Sequence, residues 1–146
     1  MPNNNYATSF GEQWTRFRET QIDRLNGTTL SQERFSEGTG WGATQLRGSR
    51  VLEAGCGAGR FTQVLLDFGA DVCALDITSA VHPCWLNNGP HPRLNVIQAD
   101  MYSTPFRLGT FDKIFCFQED ETNARLISVV HRLTREQIHA RVVIKE

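Results

Sequence analysis

The sequence contains only two lysines, Lys113 and Lys145, and no run of basic residues. With a formal net charge of -1 over 146 residues, it has no basic patch of the kind that binds nucleic acid or an anionic membrane surface. No apolar run approaches the ~20 residues of a membrane span, and the N-terminus "MPNNNYATSF" has no basic and apolar regions typical of a secretory signal. We therefore expect a cytoplasmic protein with neither nucleic acid nor membrane as partner.

The cysteines are few and widely spaced, with no C-x-x-C pair. This spacing indicates neither a zinc ribbon nor a disulfide framework, and it favours reduced thiols. His82 and Cys84 flank Pro83, but no second pair of ligands matches them, so no metal site is predicted. The four cysteines are Cys56, Cys73, Cys84 and Cys116.

A chain of 146 residues with 40% hydrophobic content suits a single core, so one domain is predicted. Its sequence divides into two regions that differ in pattern. Residues 1–49 are predicted to be a helical lead-in or lid. Within them, one amphipathic helix is expected from Phe10 to Leu25, since apolar side chains recur there at helical spacing. The stripe consists of Phe10, Trp14, Phe17, Ile22 and Leu25.

Residues 50–146 alternate between short apolar segments and helical patterns, which predicts a mostly parallel sheet with helices on both faces. The helical segments are "GRFTQVLLDFG" and "ARLISVVHRL". Because crossover connections are right-handed, strands one to four are expected to be parallel in the order 3-2-1-4. About five strands are predicted, namely "VLEA", "DVCALD", "LNVIQAD", "FDKIFCF" and "ARVVIK".

The turn after the first strand, "VLEAGCGAGRF", carries glycines at positions 55, 57 and 59. A dinucleotide turn needs its third glycine at position 60, which is Arg60, and a phosphate-binding P-loop needs a lysine that is not there. Glu53 precedes the glycines, and its carboxylate would repel a pyrophosphate and attract an amine. The turn therefore predicts a ligand that is cationic at this end.

The pattern E-x-G-x-G-x-G after an apolar strand resembles motif I of the class I S-adenosylmethionine-dependent methyltransferases. The resemblance implies a Rossmann-like α/β fold and S-adenosyl-L-methionine as cofactor. It also implies that Gly55, Cys56 and Gly57 lie against the amino-acid part of the cofactor, and that Glu53 helps to hold its ammonium group, usually indirectly. The Cys56 thiol has no sequence neighbour to lower its pKa, so its side chain is interpreted as packing. The alternative expectation for Glu53 is an ion pair with an arginine of residues 1–49.

The resemblance extends to the ends of the next two strands. Asp76 follows the second strand, where an acidic side chain can accept both ribose hydroxyls, although by itself it would more often be a helix or turn cap. Ile77 resembles the residue that packs on the adenine. In "VIQADMYSTPF", the Asp100 carboxylate and the Met101 backbone N–H resemble the contacts to the adenine edge.

The fourth strand resembles the one whose end passes under the methionine moiety, which would place Phe117 and Gln118 closest to it. The N-terminal "FGEQWTRFRETQID" is similar to the lid segment of many small methyltransferases, with Trp14 and Arg18 as further contacts. Residues 50–146 are thus predicted to be the S-adenosylmethionine-binding domain.

The resemblance ends after Phe117, since the family's "G-V-L-x-H" and "L-K-P-G-G" segments have no counterpart. This pattern is typical of a cofactor-binding half with a shortened or altered C-terminus. It leaves the fifth strand as an edge that a second copy or a partner chain would cover. The acceptor and any catalytic residue stay unassigned.

The predicted function is methyl transfer from S-adenosylmethionine to an unknown acceptor. The alternative is a non-catalytic module that binds the cofactor or another subunit. A nicotinamide-dependent oxidoreductase is disfavoured because its Tyr-x-x-x-Lys pair is absent: Tyr6 and Tyr102 are followed four residues later by Phe10 and Phe106.

Overall fold

The computed structural model describes residues 18–118, 124–134 and 140–144. In these ranges no helix is long and apolar enough to cross a membrane. The sheet consists of β1 (Arg50–Ala54), β2 (Asp71–Asp76), β3 (Leu94–Gln98), β4 (Lys113–Gln118) and β5 (Ala140–Ile144). After a 3-10 turn over Arg18–Gln21, the helices are α1 (Asp23–Asn26), α2 (Leu30–Thr39), α3 (Ala43–Leu46), α4 (Arg60–Asp67), α5 (Val81–Asn88) and α6 (Ala124–Leu133).

The five strands form one sheet in the order β3-β2-β1-β4-β5, and every pair is parallel. The predicted order of the first four strands is confirmed. In the register of the central strand, Glu53 lies opposite Ala74 of β2 and Phe115 of β4. Parallel pairing brings the carboxyl ends of all strands to one edge, so the loops that follow β1, β2 and β3 meet there.

Helices cover both faces of the sheet, as predicted. On one face the Phe35 side chain of α2 is buried, and its ring centroid lies 5.0 Å from that of Phe115. The apolar stripe predicted for α4 packs into this cluster. On the other face, Val129 and Leu133 of α6 pack against Leu52 and Ile114. The stripe of α4 comprises Phe61, Val64 and Leu65, with Phe68 just after the helix.

The long amphipathic helix predicted for Phe10–Leu25 is wrong in its described part, and residues 1–17 lie outside the described residues. Ile22 is extended, with φ -94° and ψ 114°, and it separates the 3-10 turn from α1. Leu25, which was expected on the apolar stripe, is 48% exposed. Of the two stripe residues that the structure describes, Ile22 is fully buried as predicted.

Asp23 gives the physical reason for the break. Its carboxylate accepts the backbone N–H groups of Ser31 and Gln32, each at 3.0 Å, and so satisfies two of the free donors at the start of α2. Burial raises the pKa of Asp23, but these hydrogen bonds outweigh it and lower the pKa below its usual value. The chain leaves the helical path at Ile22 so that Asp23 can reach α2.

Helix α5 was not anticipated from the sequence, because Pro83 and two asparagines obscure its pattern. Pro83 stands at the third helical position, where a missing N–H costs nothing, since the first N–H groups of a helix have no partner within it. This helix lies beside the glycine turn, and its Asn87 and Asn88 side chains donate hydrogen bonds to the turn's carbonyls.

Candidate functional site

The glycine turn begins directly after β1 and is held to β2 by backbone hydrogen bonds. Gly55, Gly57 and Gly59 have positive φ angles of 79°, 53° and 87°, which side chains with a Cβ rarely adopt. The N–H groups of Gly55 and Cys56 both donate to the carbonyl of Leu75, at 2.7 and 2.9 Å. A Cβ on Gly55 would meet no atom within 4 Å, so the turn leaves open space where a ligand can approach the backbone.

The third glycine is required by packing as well as by its backbone angle. A Cβ on Gly59 would lie 2.9 Å from Cys84 Sγ and would collide with the side-chain amide of Asn88. The amides of Asn87 and Asn88 donate to the carbonyls of Ala58 and Gly59, at 2.9 and 3.1 Å. These asparagines were not predicted as site residues from the sequence, where their signal is a pair of adjacent amides in an otherwise apolar segment.

Asp76 joins the first two strand ends. Its Oδ2 atom accepts the Gly57 N–H at 2.9 Å, and its Oδ1 atom accepts both the N–H and the hydroxyl of Thr78 at 2.8 Å. The turn-capping role, which the sequence left open as an alternative, is therefore present. A carboxylate offers about four acceptor positions, so one position beyond these three hydrogen bonds remains for a ligand hydroxyl.

Glu53 points into the protein beneath α4. It is 2% exposed and accepts the Thr62 hydroxyl at 2.5 Å, so its partner in the described chain is Thr62 and not an arginine from residues 18–49. Burial, then the neighbouring Cys84 and Asp76, raise the pKa of Glu53 well above its usual value, although the Thr62 hydrogen bond opposes this. Its influence on a ligand amine would act through the glycine turn.

Cys56 and Cys84 are buried side by side beneath the turn. Their thiols share a hydrogen bond, and this contact together with burial raises the pKa of Cys56. A buried thiol with a raised pKa is a poor nucleophile, which agrees with the packing role expected for the Cys56 side chain. The contact of Cys56 with the cofactor stays a prediction.

A cleft of about 230 Å³ opens beside the turn at the carboxyl edge. Ile77 is 57% exposed, and the Asp100 carboxylate accepts the Tyr102 N–H at 2.9 Å. The structure thus brings together five of the residues that the sequence selected for cofactor binding, and it adds Tyr102, which had not been selected. The lining residues are Gly55, Leu75, Asp76, Ile77, Ala99, Asp100, Met101 and Tyr102.

Phe117 lies on the other side of β1 and does not line this cleft. Its ring centroid is 5.2 Å from that of Phe61, and the Arg34 guanidinium lies over it at 5.3 Å. Gln118 ends β4 at the same sheet edge. Arg18 begins the 3-10 turn, whereas Trp14 lies outside the described residues.

A family model described as a methyltransferase domain matches residues 52–137, which is more than half of the chain. The chain belongs to this methyltransferase family. The matched residues include the glycine turn, Asp76, Asp100 and Phe117. No curated protein matches the sequence.

Solved structures agree with the family. An S-adenosylmethionine-dependent methyltransferase from Mesorhizobium loti is 26% identical with a TM-score of 0.53, and the match covers 61% of this chain and 44% of that one. A chain of the complex containing the Haloferax volcanii Trm112 methyltransferase activator has 14% identity and a TM-score of 0.64, covering 87% and 56%. The [4+2]-cyclase SpnF has 21% identity and a TM-score of 0.56, covering 70% and 39%.

The chain therefore spans about half or less of the length of these neighbours. The last two likenesses show the fold alone. The family match and the Mesorhizobium loti neighbour, which is named as S-adenosylmethionine-dependent, imply S-adenosylmethionine as the cofactor of this class I methyltransferase family. The cleft fits such a ligand, because it combines a side-chain-free turn with the carboxylates of Asp76 and Asp100. The described ranges contain no group of three or more potential metal ligands.

Proposed function

We propose that the chain binds S-adenosylmethionine at the carboxyl ends of β1, β2 and β3 and transfers its methyl group to an acceptor. The observation that carries this proposal is the hydrogen bond from the Gly57 N–H to Asp76 at 2.9 Å, beside a cleft that also includes Ile77 and Asp100. It joins the two segments whose order and spacing are typical of the family. When bound, the cofactor supplies an electrophilic methyl group on a sulfonium.

The nucleoside end is assigned to the cleft. Asp76 accepts a ribose hydroxyl at its remaining acceptor position, and Ile77 lies under the adenine with its exposed side chain. Asp100 accepts a hydrogen bond at the adenine edge, and the Met101 N–H donates one there. Three of these roles use the exposed side chain of Ile77 and the acceptor positions that Asp76 and Asp100 have beyond their hydrogen bonds to described residues.

The amino-acid end is assigned to the glycine turn and to the end of β4. Gly55, Cys56 and Gly57 present backbone there, Glu53 favours the ammonium group from beneath, and Phe117 and Gln118 border the methionine part. Direct methyl transfer needs chiefly an in-line approach of the acceptor nucleophile and the exclusion of water. We therefore assign no general base.

The remaining organisation is also a proposal. Residues 1–49 act as a lid over residues 50–146, which form the cofactor-binding domain, and the cytoplasm is its location. Among the described strands, β5 forms one edge of the sheet, and it pairs with a second copy or with a partner chain, because a parallel edge offers N–H and C=O groups for pairing. The activator complex of Haloferax volcanii supports the idea of a partner chain by analogy.

A non-catalytic cofactor-binding module is the second candidate. It is supported by the sequence, which keeps the cofactor motifs as far as Phe117 but has no counterpart of the family's "G-V-L-x-H" and "L-K-P-G-G" segments after it. Parallel calorimetric titrations with S-adenosylmethionine and with NAD test the shared prediction, and saturable binding of the first alone is expected. The absence of such binding would contradict both candidates.

A radiolabelled methyl-transfer assay over a broad acceptor panel then separates the two. Label that appears in an acceptor supports the enzyme. Saturable binding without any transfer across the panel supports the module.

A further inference from the structure

Two arginines and two aromatic rings form a compact group on the β4 side of the sheet edge. The Arg34 guanidinium lies over the Phe117 ring at 5.3 Å, and the Arg60 guanidinium lies over the Phe61 ring at 5.1 Å. The two ring centroids are 5.2 Å apart. Guanidinium groups that lie on aromatic faces keep their N–H edges available for other partners.

Arg60 is held against α2, the helix that carries Arg34, by a hydrogen bond. Its Nε–H donates to the Ser31 hydroxyl at 2.7 Å, and Ser31 precedes Arg34 by one turn of α2. Burial, then the positive charge of Arg34, lower the pKa of Arg60, and the negative charge of Asp23 opposes this less strongly. The fold therefore holds two like charges near each other, which costs free energy in the absence of a shared anion.

The position of the pair matters for the proposed reaction. Arg60 is the first residue of α4 and follows the glycine turn, while Phe117 lies next to the last residue of β4. The N-terminal end of the eight-residue α4 adds a partial positive charge beside Arg60. In the described chain, Arg60 donates to the Ser31 hydroxyl, and the negative charge of Asp23 offsets the repulsion from Arg34 only in part.

We propose that Arg34 and Arg60 form a carboxylate-binding site for a reactant of the methyl transfer. The proposal rests on the proposed function. A planar carboxylate matches the paired N–H donors of guanidinium groups, and it relieves the repulsion between them. The carboxylate belongs either to the amino-acid part of the cofactor or to the acceptor.

The test compares Arg34→Gln/Arg60→Gln with a matched control, Arg50→Gln, which removes the same charge at the amino end of β1. Calorimetry measures the affinity for S-adenosylhomocysteine, which carries the carboxylate, and for decarboxylated S-adenosylmethionine, which does not. NMR titration with benzoate, in the presence of saturating S-adenosylhomocysteine, measures a separate acceptor carboxylate. Circular dichroism checks that each variant is folded, and the single variants Arg34→Gln and Arg60→Gln serve if the double variant is not.

If the carboxylate is the cofactor's, the double variant loses about tenfold in affinity for S-adenosylhomocysteine and keeps its affinity for the decarboxylated compound. If it is the acceptor's, S-adenosylhomocysteine binds as before and benzoate binding falls by about tenfold. Unchanged binding of both ligands, or an equal loss in Arg50→Gln, overturns the site. Wild-type protein that binds no S-adenosylhomocysteine contradicts the proposed function, and benzoate titration of the free protein then tests the arginine pair by itself.

The acidic residues Glu119, Asp120 and Glu121 follow β4 in the sequence and are the competing source of a carboxylate. The variant Glu119→Gln/Asp120→Asn/Glu121→Gln therefore accompanies the series. If benzoate binds to this variant but not to wild type, and if that binding requires both arginines, the arginine pair binds an internal carboxylate. That outcome overturns the proposal. Equal binding to this variant and to wild type supports a reactant site.

Discussion

The two sides of β1 at the carboxyl edge have opposite charge and different construction. On the β2 side, the carboxylates of Asp76 and Asp100 accept hydrogen bonds from the turns that follow the strands. On the β4 side, Arg34 and Arg60 lie on aromatic rings. A ligand that spans this edge would meet acceptors at one end and cationic donors at the other, which suits hydroxyl groups at the first and a carboxylate at the second.

The difference extends to how each side is fixed. The glycine turn is held by backbone hydrogen bonds to Leu75 of β2 and by the side-chain amides of α5. Its shape is therefore fixed by its contacts with these two elements. The arginine pair is held by one hydroxyl and by ring contacts. We infer that recognition of the nucleoside is built into the strand ends, whereas recognition of the charged end depends on long side chains from α2 and α4.

The largest expected effect tests the rigid side. Gly59→Ala forces a Cβ onto a φ of 87° and into Cys84 and Asn88, so the free energy of unfolding should fall by at least about 3 kcal/mol. Gly27→Ala is the matched control, because its φ is 74° and no atom lies within 4 Å of the added Cβ. It should cost about 1 kcal/mol in urea unfolding. Equal losses in both variants would contradict the packing argument.

The next effect concerns ligand binding. Asp76→Ala removes the acceptor for Gly57 and for a ribose hydroxyl, so the affinity for S-adenosylhomocysteine should fall by about tenfold or more in calorimetry. Thr78→Val is the control, since it removes the hydroxyl's hydrogen bonds with Asp76 and with the Ala80 N–H but keeps the carboxylate. It should lose less than about threefold. Wild-type affinity in Asp76→Ala would show that the pocket assignment is wrong.

A third test concerns the slope of stability against pH. The raised pKa of Glu53 means that the folded state binds its proton more tightly than the unfolded state does. This side chain therefore favours folding at low pH, and its contribution is lost as the pH rises from the unfolded pKa of about 4.3 towards the folded value.

Glu53→Gln keeps an acceptor for Thr62 and removes the titration. Relative to this variant, wild type should lose stability as the pH rises above that point, measured by urea unfolding at several pH values. Parallel curves for the two proteins would show that Glu53 does not titrate in this way.

The features of the fold and of the site that depend on local sequence pattern were predicted from the sequence. The apolar segments identified all five strands, and right-handed crossovers gave the order of the first four. The glycine spacing and the acids at positions 76 and 100 located the cleft, because parallel strands must bring these loops to one edge.

The rest depends on contacts between residues far apart in sequence. The break at Ile22 exists because Asp23 caps α2, and no helical periodicity contains that information. Arg34 and Arg60 become neighbours only when α2 packs on α4, so the sequence pointed instead to Trp14 and Arg18 as contacts from the lead-in. Helix α5 was not predicted because a proline normally interrupts a helix. Pro83 is compatible with this one since it lies in the first turn, which the sequence pattern does not show.

The smallest expected effect separates a ligand contact from ordinary surface. Ile77 is 57% exposed in the cleft, and Leu86 of α5 is 62% exposed outside it. Ile77→Ala removes apolar area that adenine would cover, at about 25 cal/mol per Å², so binding of S-adenosylhomocysteine should weaken by about 1 kcal/mol, or roughly fivefold. Leu86→Ala should leave the affinity unchanged, and neither variant should lower the free energy of unfolding by more than about 0.5 kcal/mol, because both side chains are largely solvated. Calorimetry and urea unfolding on the three proteins decide the matter: an equal effect on binding from both substitutions, or none from Ile77→Ala, would place the adenine elsewhere along the sheet edge.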